Sequence, residues 1–270
     1  MASGQLEAAA AATWAEALGC DARLLGGPGA HLVPGGARLQ DLNGVYMADM
    51  GAAVLVYCPG RLRPRAATVL ASTPHDDLFT AGTCATIAGV DEVQVLGPSW
   101  HGFTDAAHFT PAGPGAGRRL GRGSPLLAGL REACGEAEWA EGGFADPDGV
   151  IYGIEEDGRL AAAGNLTPFR GYPADVGLLT HPAARGRGLA KQLAVQMIGD
   201  ALPAAGIIRY RALVTNSPSL AIARSLGFAG YGQNLIARLP ARSPSPARVT
   251  GRNGVTGRGE PGPPGRPAPG

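Results

Sequence analysis

A segment rich in glycine and arginine, at residues 180–193, has the composition of a phosphate-binding turn. Its sequence is Thr180-His-Pro-Ala-Ala-Arg-Gly-Arg-Gly-Leu-Ala-Lys-Gln-Leu193. An apolar run precedes it and apolar residues recur at helical spacing after it, which predicts a strand, a turn and a helix. The first amides of a helix lack intrahelical partners and the helix dipole favours an anion there, while Gly186 and Gly188 have no side chain to exclude one. The segment therefore predicts a pyrophosphate site.

The spacing within this turn excludes two common phosphate-binding motifs. A Walker A loop requires Gly-x-x-x-x-Gly-Lys-Ser/Thr, which the segment lacks, and a dinucleotide fingerprint requires a third glycine where this chain has Lys191. The pattern that is present is Arg-x-x-Gly-x-Ala, formed by Arg185, Gly188 and Ala190.

The sequence after the turn predicts an ordered series of short elements. In order, these are a strand at 209–214, Asn216, a helix at 217–225, a stop at Leu226-Gly-Phe228, the step Tyr231-Gly232 and a last strand at 233–239. Together with the Arg-x-x-Gly-x-Ala turn, this series resembles the GNAT superfamily of N-acetyltransferases, in particular its two-domain, actinobacterial-type members. The resemblance extends from about Leu126 to Leu239.

The resemblance implies a fold and a co-substrate. The expected fold is α/β (α+β mixed), with a central mixed and mostly antiparallel sheet flanked by helices. The expected co-substrate is acetyl-CoA, whose pantetheine lies between two strands that splay apart and adds to the first of them like a strand. The residues expected to bind it are Leu178, Leu179, Thr180, Arg185, Gly186, Arg187, Gly188, Leu189, Ala190, Lys191 and Asn216.

The implied reaction is direct attack of an amine on the thioester, with the oxyanion held by a backbone amide of the strand at 175–180 and no covalent enzyme intermediate. An amine must lose a proton to attack, and the leaving thiolate must gain one. Many relatives supply that second proton from a tyrosine at the position of Ala223, so Tyr231 or solvent has to replace it here. Asp175, at the start of the strand, is the candidate base.

The acceptor is expected to be the primary amine of a small molecule. Glu138 and Glu141 flank Trp139, and a carboxylate pair beside an aromatic face suits a cationic amine. Two alternatives remain open, acetylation of a protein or peptide N-terminus and a non-catalytic acyl-CoA-binding sensor or interaction module, which the missing tyrosine permits.

The chain is expected to have four parts. Residues 1–108 predict a small α/β domain, with helices at 5–18 and 74–87 and strands at 52–57 and 92–96. By the resemblance it is either an accessory domain or a degenerate GNAT-like domain. Trp100 is expected in its core and His101 exposed. A glycine-rich linker follows at 109–123, the GNAT domain at 124–239, where a hairpin turns at 156–158, and a Pro/Gly/Arg-rich disordered tail at 240–270.

Composition favours a cytoplasmic enzyme, and its arginine-rich, lysine-poor bias is typical of G+C-rich genomes such as those of actinobacteria. No run approaches the 18 or so apolar residues of a membrane span. The tail carries five arginines and one glutamate, so the rest of the chain is slightly acidic, which argues against a nucleic-acid partner. Four separated cysteines predict free thiols and no metal site. The oligomeric state is left open as monomer or homodimer.

Overall fold

Ten strands form a single sheet in the part of the chain that the structure describes. The structure is a computed structural model, and it describes residues 2–111 and 113–239. The strands are β1 (Gly29–Leu32), β2 (Gly44–Asp49), β3 (Ala53–Tyr57), β4 (Val95–Asp105), β5 (Arg118–Leu120), β6 (Val150–Glu156), β7 (Arg159–Phe169), β8 (Tyr172–Thr180), β9 (Ile207–Leu213) and β10 (Ala229–Arg238). Their order across the sheet is β1-β3-β2-β10-β4-β9-β8-β7-β6-β5.

The sheet is mixed and mostly antiparallel, with parallel pairing at β1–β3 and β8–β9. The helices that flank it are α1 (Ala2–Leu18), α2 (Arg23–Gly26), α3 (Ala37–Gln40), α4 (Arg63–Ser72), α5 (His75–Leu78), α6 (Ala81–Ala88), α7 (Leu126–Cys134), α8 (Glu136–Glu141), α9 (Leu189–Ala205) and α10 (Ser217–Ser225). This arrangement confirms the predicted fold class.

Helices cover both faces of the sheet at its N-terminal half. Alternate residues of a strand point to opposite faces, so each face presents its own apolar residues to a helix. Tyr46 and Leu55 pack with Trp14 of α1 on one face. Met47 and Val54 pack on the other face, with α4 and α6. The strands β2 and β3 are therefore buried on both sides, which explains their nearly continuous apolar sequence.

Strand β4 is longer than the predicted strand at 92–96, and it lies inside the sheet. It continues past Gly97 and Pro98 to Asp105 and pairs with β9 on one side and β10 on the other. Gly97 has φ +109°, and a Cβ there would lie 2.7 Å from the backbone oxygen of Asn234, so glycine permits this close contact. The predicted bounds of this strand, 92–96, were therefore wrong.

The predicted helix at 74–87 is two helices, α5 and α6. The break is at Thr80, which has extended backbone and whose hydroxyl accepts a hydrogen bond from the amide of Thr83 at 3.1 Å. A threonine in this position is a helix N-cap, and it begins α6 instead of continuing α5.

The C-terminal half contains the predicted hairpin and a β-α-β unit. Strands β6 and β7 pair across the turn at 157–158, and α9 connects the parallel strands β8 and β9. Helix α7 packs on the face that bears Ile151 and Ala163, whereas α9 packs on the face that bears Tyr152 and Ala162. The sheet thus separates α7 and α8 from α9 and α10.

The predicted linker at 109–123 does not separate two domains in the structure. Residues 118–120 of that segment form β5, which pairs with β6. Residues 2–111 and 113–239 lie in one compact unit, because β4 crosses into the C-terminal half. The predicted tail at 240–270 lies outside the described residues.

Candidate acyl-CoA site

The glycine turn begins α9 without a side-chain cap. His181 starts a short 3-10 turn, where its Nδ1 accepts a hydrogen bond from the amide of Ala183 at 3.2 Å. Gly186 and Gly188 have φ values of +79° and +75°, and a Cβ at either would meet no atom within 4 Å. The left-handed conformation suits glycine, and the space beside each residue is open. The first amides of α9 therefore face an unobstructed cradle, which fits a pyrophosphate.

Strands β8 and β9 part directly beside this turn. Their ladder contains the pairs Asp175 with Arg209 and Val176 with Tyr210, although both strands continue beyond it. A cavity of about 740 Å³ opens there, between the strands and the start of α9. Its lining includes the predicted residues Leu178, Leu179, Thr180, Arg185, Gly186, Gly188, Leu189, Ala190, Lys191 and Asn216.

The two arginines of the turn make different contacts. Arg185 lines the cavity and donates to both carboxylate oxygens of Glu138, at 3.0 and 2.7 Å. Arg187 points to the β6–β7 hairpin, where it pairs with Glu156 at 2.7 Å, and it does not line the cavity. The prediction that Arg187 contacts the co-substrate is therefore not supported by its position.

Helix α8 covers one side of the cavity through a close contact with β8. A Cβ at Gly177 would collide with the backbone oxygen of Gly142, so the glycine lets the end of α8 approach the strand. Glu138 and Glu141 line the cavity, as the amine-pocket prediction requires. Trp139 does not.

Trp139 is a core residue, which corrects the expectation that it forms a face of the amine pocket. It is 8% exposed and its ring packs against Phe144 with a centroid distance of 4.7 Å. Its cation–π partner is Arg131, at 5.6 Å. On a helix this short, the face that carries Glu138 and Glu141 points to the cavity while the indole points to the core.

Asp175 is a buried ion-pair partner, which corrects its assignment as the general base. Arg209 donates to it from Nε and Nη2, at 3.0 and 2.8 Å, and Arg211 donates from Nη2 at 2.6 Å. Burial raises the pKa of the Asp175 carboxyl, but the two positive charges and their hydrogen bonds lower it by more, so the net pKa lies well below its usual range. A carboxylate this weakly basic does not take a proton from an amine.

Two buried polar residues, His101 and Asn234, lie beside the charges around Asp175, since His101 on β4 pairs with Arg211 on β9. His101 on β4 is 6% exposed, contrary to the expectation that it is exposed, and its Nε2 donates to Oδ1 of Asn234 at 2.7 Å. Its ring stacks on Trp14, with centroids 4.5 Å apart. Burial, together with the charges of Arg209 and Arg211, lowers the pKa of His101 to about 3, so this ring is neutral.

Tyr231 lies away from the cavity, which corrects its assignment as the proton donor. It packs beside α1, where its backbone oxygen accepts a hydrogen bond from the indole of Trp14 at 2.7 Å. Asn216 does line the cavity, but its side-chain oxygen caps α10 by accepting from the amide of Ser219 at 3.2 Å.

Tyr210 is a cavity residue that the sequence analysis missed. Its hydroxyl lies 2.9 Å from Oγ of Ser219, and both residues line the cavity. Ser219 is one helical turn before the buried Ala223, so the two share a face of α10. Burial raises the pKa of Tyr210 to about 12. A protonated phenol therefore reaches the helix face on which the expected tyrosine is missing.

Further findings concern the described residues as a whole. No helix among residues 2–111 and 113–239 has the length and apolar character needed to cross a bilayer. Within the same ranges, no three His, Cys, Asp or Glu side chains are grouped as a metal site would require. The four cysteines are free thiols.

The mixed sheet, with its parallel strands parting beside a glycine-rich helix start, fits the fold that the GNAT resemblance implies. Residues 121–228 match the sequence profile of the acetyltransferase (GNAT) family. The chain therefore contains a GNAT acetyltransferase domain at residues 121–228. No curated protein sequence matches the chain significantly.

Several solved structures resemble this chain over part of its length. A putative GNAT acetyltransferase from Novosphingobium aromaticivorans is 26% identical over 54% of this chain and 66% of that one, with a TM-score of 0.43. A GNAT acetyltransferase from Colwellia psychrerythraea is 15% identical over 54% and 57%, with a TM-score of 0.43. A tandem GNAT protein from the clavulanic acid biosynthesis pathway is 20% identical over 63% and 62%, with a TM-score of 0.40. The chain thus spans 57% to 66% of these three structures.

Proposed function

We propose that the protein transfers an acetyl group from acetyl-CoA to the primary amine of a small molecule. The observation that carries this proposal is the coincidence of the glycine cradle with the parted strands in one cavity of about 740 Å³. The family match at residues 121–228 supports the class of reaction. Acetyl-CoA supplies a thioester that an amine attacks directly.

The residues at the two ends of the cavity have separate tasks in this proposal. The amides that follow Gly188, with Arg185 and Lys191, hold the pyrophosphate, since an uncapped helix start and nearby cations favour an anion. The backbone of Leu178 and Leu179, beyond the last paired residue of β8, offers amides to the pantetheine and to the thioester oxygen.

Two side chains of the cavity are suited to proton transfer. Glu141 is exposed and lines the cavity, so its carboxylate accepts the amine proton directly or through water. Tyr210, held against Ser219, donates a proton to the leaving thiolate. These assignments replace Asp175 and Tyr231, which the contacts described above remove from the chemistry.

A substitution in the cradle tests the proposal. Gly188→Asn adds a side chain where no atom lies within 4 Å, and asparagine tolerates the left-handed backbone that Gly188 adopts. We expect acetyl-CoA affinity, measured by titration calorimetry, to fall at least about tenfold while the melting temperature changes by only a few degrees.

Gly158→Asn is the matched control for that experiment. Gly158 has φ +74° and open space around it, but it lies in the β6–β7 turn outside the cavity. The control should bind acetyl-CoA as the wild type does. Equal affinity of the Gly188→Asn variant and its control would contradict the assignment of the cradle.

The rival functions differ in what happens after acetyl-CoA binds. Release of free CoA with a panel of small amines supports the proposed transfer, whereas release only with peptides supports N-terminal acetylation of a protein. Binding of acetyl-CoA without release on any amine or peptide favours a sensor.

A further inference from the structure

Arg211 presents a positive charge to the cavity at the point where β8 and β9 part. It follows Tyr210, the last residue of β9 that pairs with β8, and it lines the cavity. Because successive residues of a strand face opposite sides, Tyr210 points to α10 and Arg211 points to the opposite face of the sheet. The Arg211 side chain is 50% exposed, so its guanidinium is reachable from the cavity.

This positive charge is not fully compensated within the protein. Asp175 pairs with both Arg209 and Arg211, and it is the one carboxylate among the described residues that forms an ion pair with either arginine. His101, which lies opposite Arg211 on β4, is neutral because burial lowers its pKa. One negative charge therefore faces two positive charges, and the guanidinium of Arg211 is the more exposed of the two, since the Arg209 side chain is 14% exposed.

Asp175 also fixes the orientation of the guanidinium. Arg211 uses Nε and Nη2 to donate to Asp175, at 3.1 and 2.6 Å, and its Nη1 donates to none of the described residues. A guanidinium is a planar fork of five donors, and holding one edge on a carboxylate directs the remaining donors elsewhere. Arg211 is therefore a preoriented donor at the wall of the cavity.

A carboxylate also lines the cavity. Glu141 on α8 lines the cavity and forms no ion pair with a described residue, whereas Glu138 is occupied by Arg185. An acceptor in this cavity can therefore meet an anion on α8 and a cation on β9. A free amine is complementary to the first group alone, but an amine that also bears a carboxylate is complementary to both.

We propose that the acceptor is an amino acid or a similar small amine that carries a carboxylate, and that Arg211, positioned by Asp175, binds this carboxylate. This inference rests on the proposed acetyl transfer and adds a substrate class to it. A carboxylate matches the two parallel donors of a guanidinium in geometry, and such charge-assisted pairs are among the stronger hydrogen bonds of proteins.

Matched acceptor pairs test this inference. A series of α-amino acids is compared with the corresponding α-amino amides, which keep the amine and the side chain and replace the carboxylate. The measured quantity is kcat/KM for CoA release. For the amino acids that serve as acceptors, we expect the wild type to prefer the acid over its amide by about tenfold or more, as one charge-assisted pair provides about 1.4 kcal/mol or more.

The variant Arg211→Gln tests whether the preference for acids over amides depends on this guanidinium. The change removes the charge, and because the two hydrogen bonds from Arg209 to Asp175 remain, we expect the fold to be retained. We expect the acid-to-amide ratio to fall toward one, with acetyl-CoA affinity unchanged. Amino acids and amides differ in the pKa of the amine, but that difference cancels when the ratio of the variant is divided by that of the wild type.

Two controls complete the experiment. Arg38→Gln removes an exposed positive charge of the N-terminal half, away from the cavity, and should keep the wild-type ratio. Arg211→Lys keeps a positive charge without the planar fork, and should retain part of the preference.

Failure of the inference differs from failure of acetyl transfer. If small amines are acetylated but amides and amines are used as well as amino acids, or if Arg211→Gln keeps the wild-type ratio, the carboxylate assignment is overturned and the transfer stands. If no acceptor releases CoA, calorimetric titration of amino acids and amides into the CoA-loaded protein decides. Preferential, Arg211-dependent binding of the acids then supports the assignment, and equal or absent binding overturns it.

Discussion

The arginine–carboxylate pairs on two sides of the cavity differ in burial. On the side of the turn, Arg185 pairs with Glu138, and the two side chains are 50% and 43% exposed. On the side of the strands, Asp175 is 4% exposed and holds two arginines at once. Exposed pairs contribute little to stability, whereas removal of one partner of a buried pair is costly. We therefore expect the two sides to respond very differently to removal of a carboxylate.

The largest effect should follow from removal of the shared carboxylate. Asp175→Ala leaves Arg209 and Arg211 side by side without their counter-charge, so we expect the free energy of unfolding to fall by about 3–5 kcal/mol. Urea denaturation measures this loss. A loss no larger than that of an exposed charge would mean that water already screens the cluster.

The next effect concerns catalysis on the strand side. Tyr210→Phe removes the phenol that reaches Ser219, and we expect kcat to fall about 10- to 100-fold with the KM for acetyl-CoA unchanged. Ser219→Ala leaves the phenol in place without its partner and should have a smaller effect. An unchanged kcat in Tyr210→Phe would assign the proton to solvent.

The buried histidine gives a pH dependence whose sign follows from its pKa. The folded pKa of His101 is about 3, below the unfolded value of about 6.5, so the unfolded chain binds the proton first. The contribution of neutral His101 to the free energy of unfolding is therefore complete above pH 6.5. It is lost as the pH falls toward 3, by about 1.4 kcal/mol per pH unit at most.

Substitution of this histidine isolates its share of the pH dependence. His101→Gln keeps a donor for Asn234 and removes the titrating group, so the stability difference between variant and wild type should shrink as the pH falls from 7 to 4. Denaturation at several pH values measures it. Parallel stability curves would show that the pKa of His101 is the same in the folded and unfolded protein, which would contradict the prediction.

The smallest effect should come from the turn side. Glu138→Gln removes the partner of Arg185, and both side chains are about half exposed, so the free energy of unfolding should change by less than about 1 kcal/mol. The same denaturation experiment measures it beside Asp175→Ala. Similar losses in the two variants would remove the contrast between the two sides of the cavity.

The sequence predicted the turn side well because its parts are contiguous. The glycines, the helix after them and the strand before them lie within residues 174–193, so spacing alone determines their arrangement. Ten of the eleven predicted co-substrate residues line the cavity. Arg187 is the exception, because its direction depends on Glu156 in a hairpin distant in sequence.

The strand side depends on register, which sequence spacing does not provide. Asp175 was predicted as a base because it is a carboxylate at a strand end, and its partners, 34 and 36 residues later, come beside it through one parallel register. A signal was present, since Arg209 and Arg211 alternate with the apolar residues of β9 and so predict one charged face. A charged face on a buried strand requires a counter-charge nearby.

The position of β4 links the N-terminal half of the chain to the chemistry. Because β4 lies between β9 and β10, the strand that carries Tyr210 and Arg211 receives its second row of hydrogen bonds from residues that precede the GNAT domain. A destabilising change far from the cavity, in α1 or β2, would therefore loosen the wall that aligns these two side chains. The N-terminal half thus supports β9 through β4. Mutations in the N-terminal half are therefore expected to be limited by the need to keep Tyr210 and Arg211 aligned.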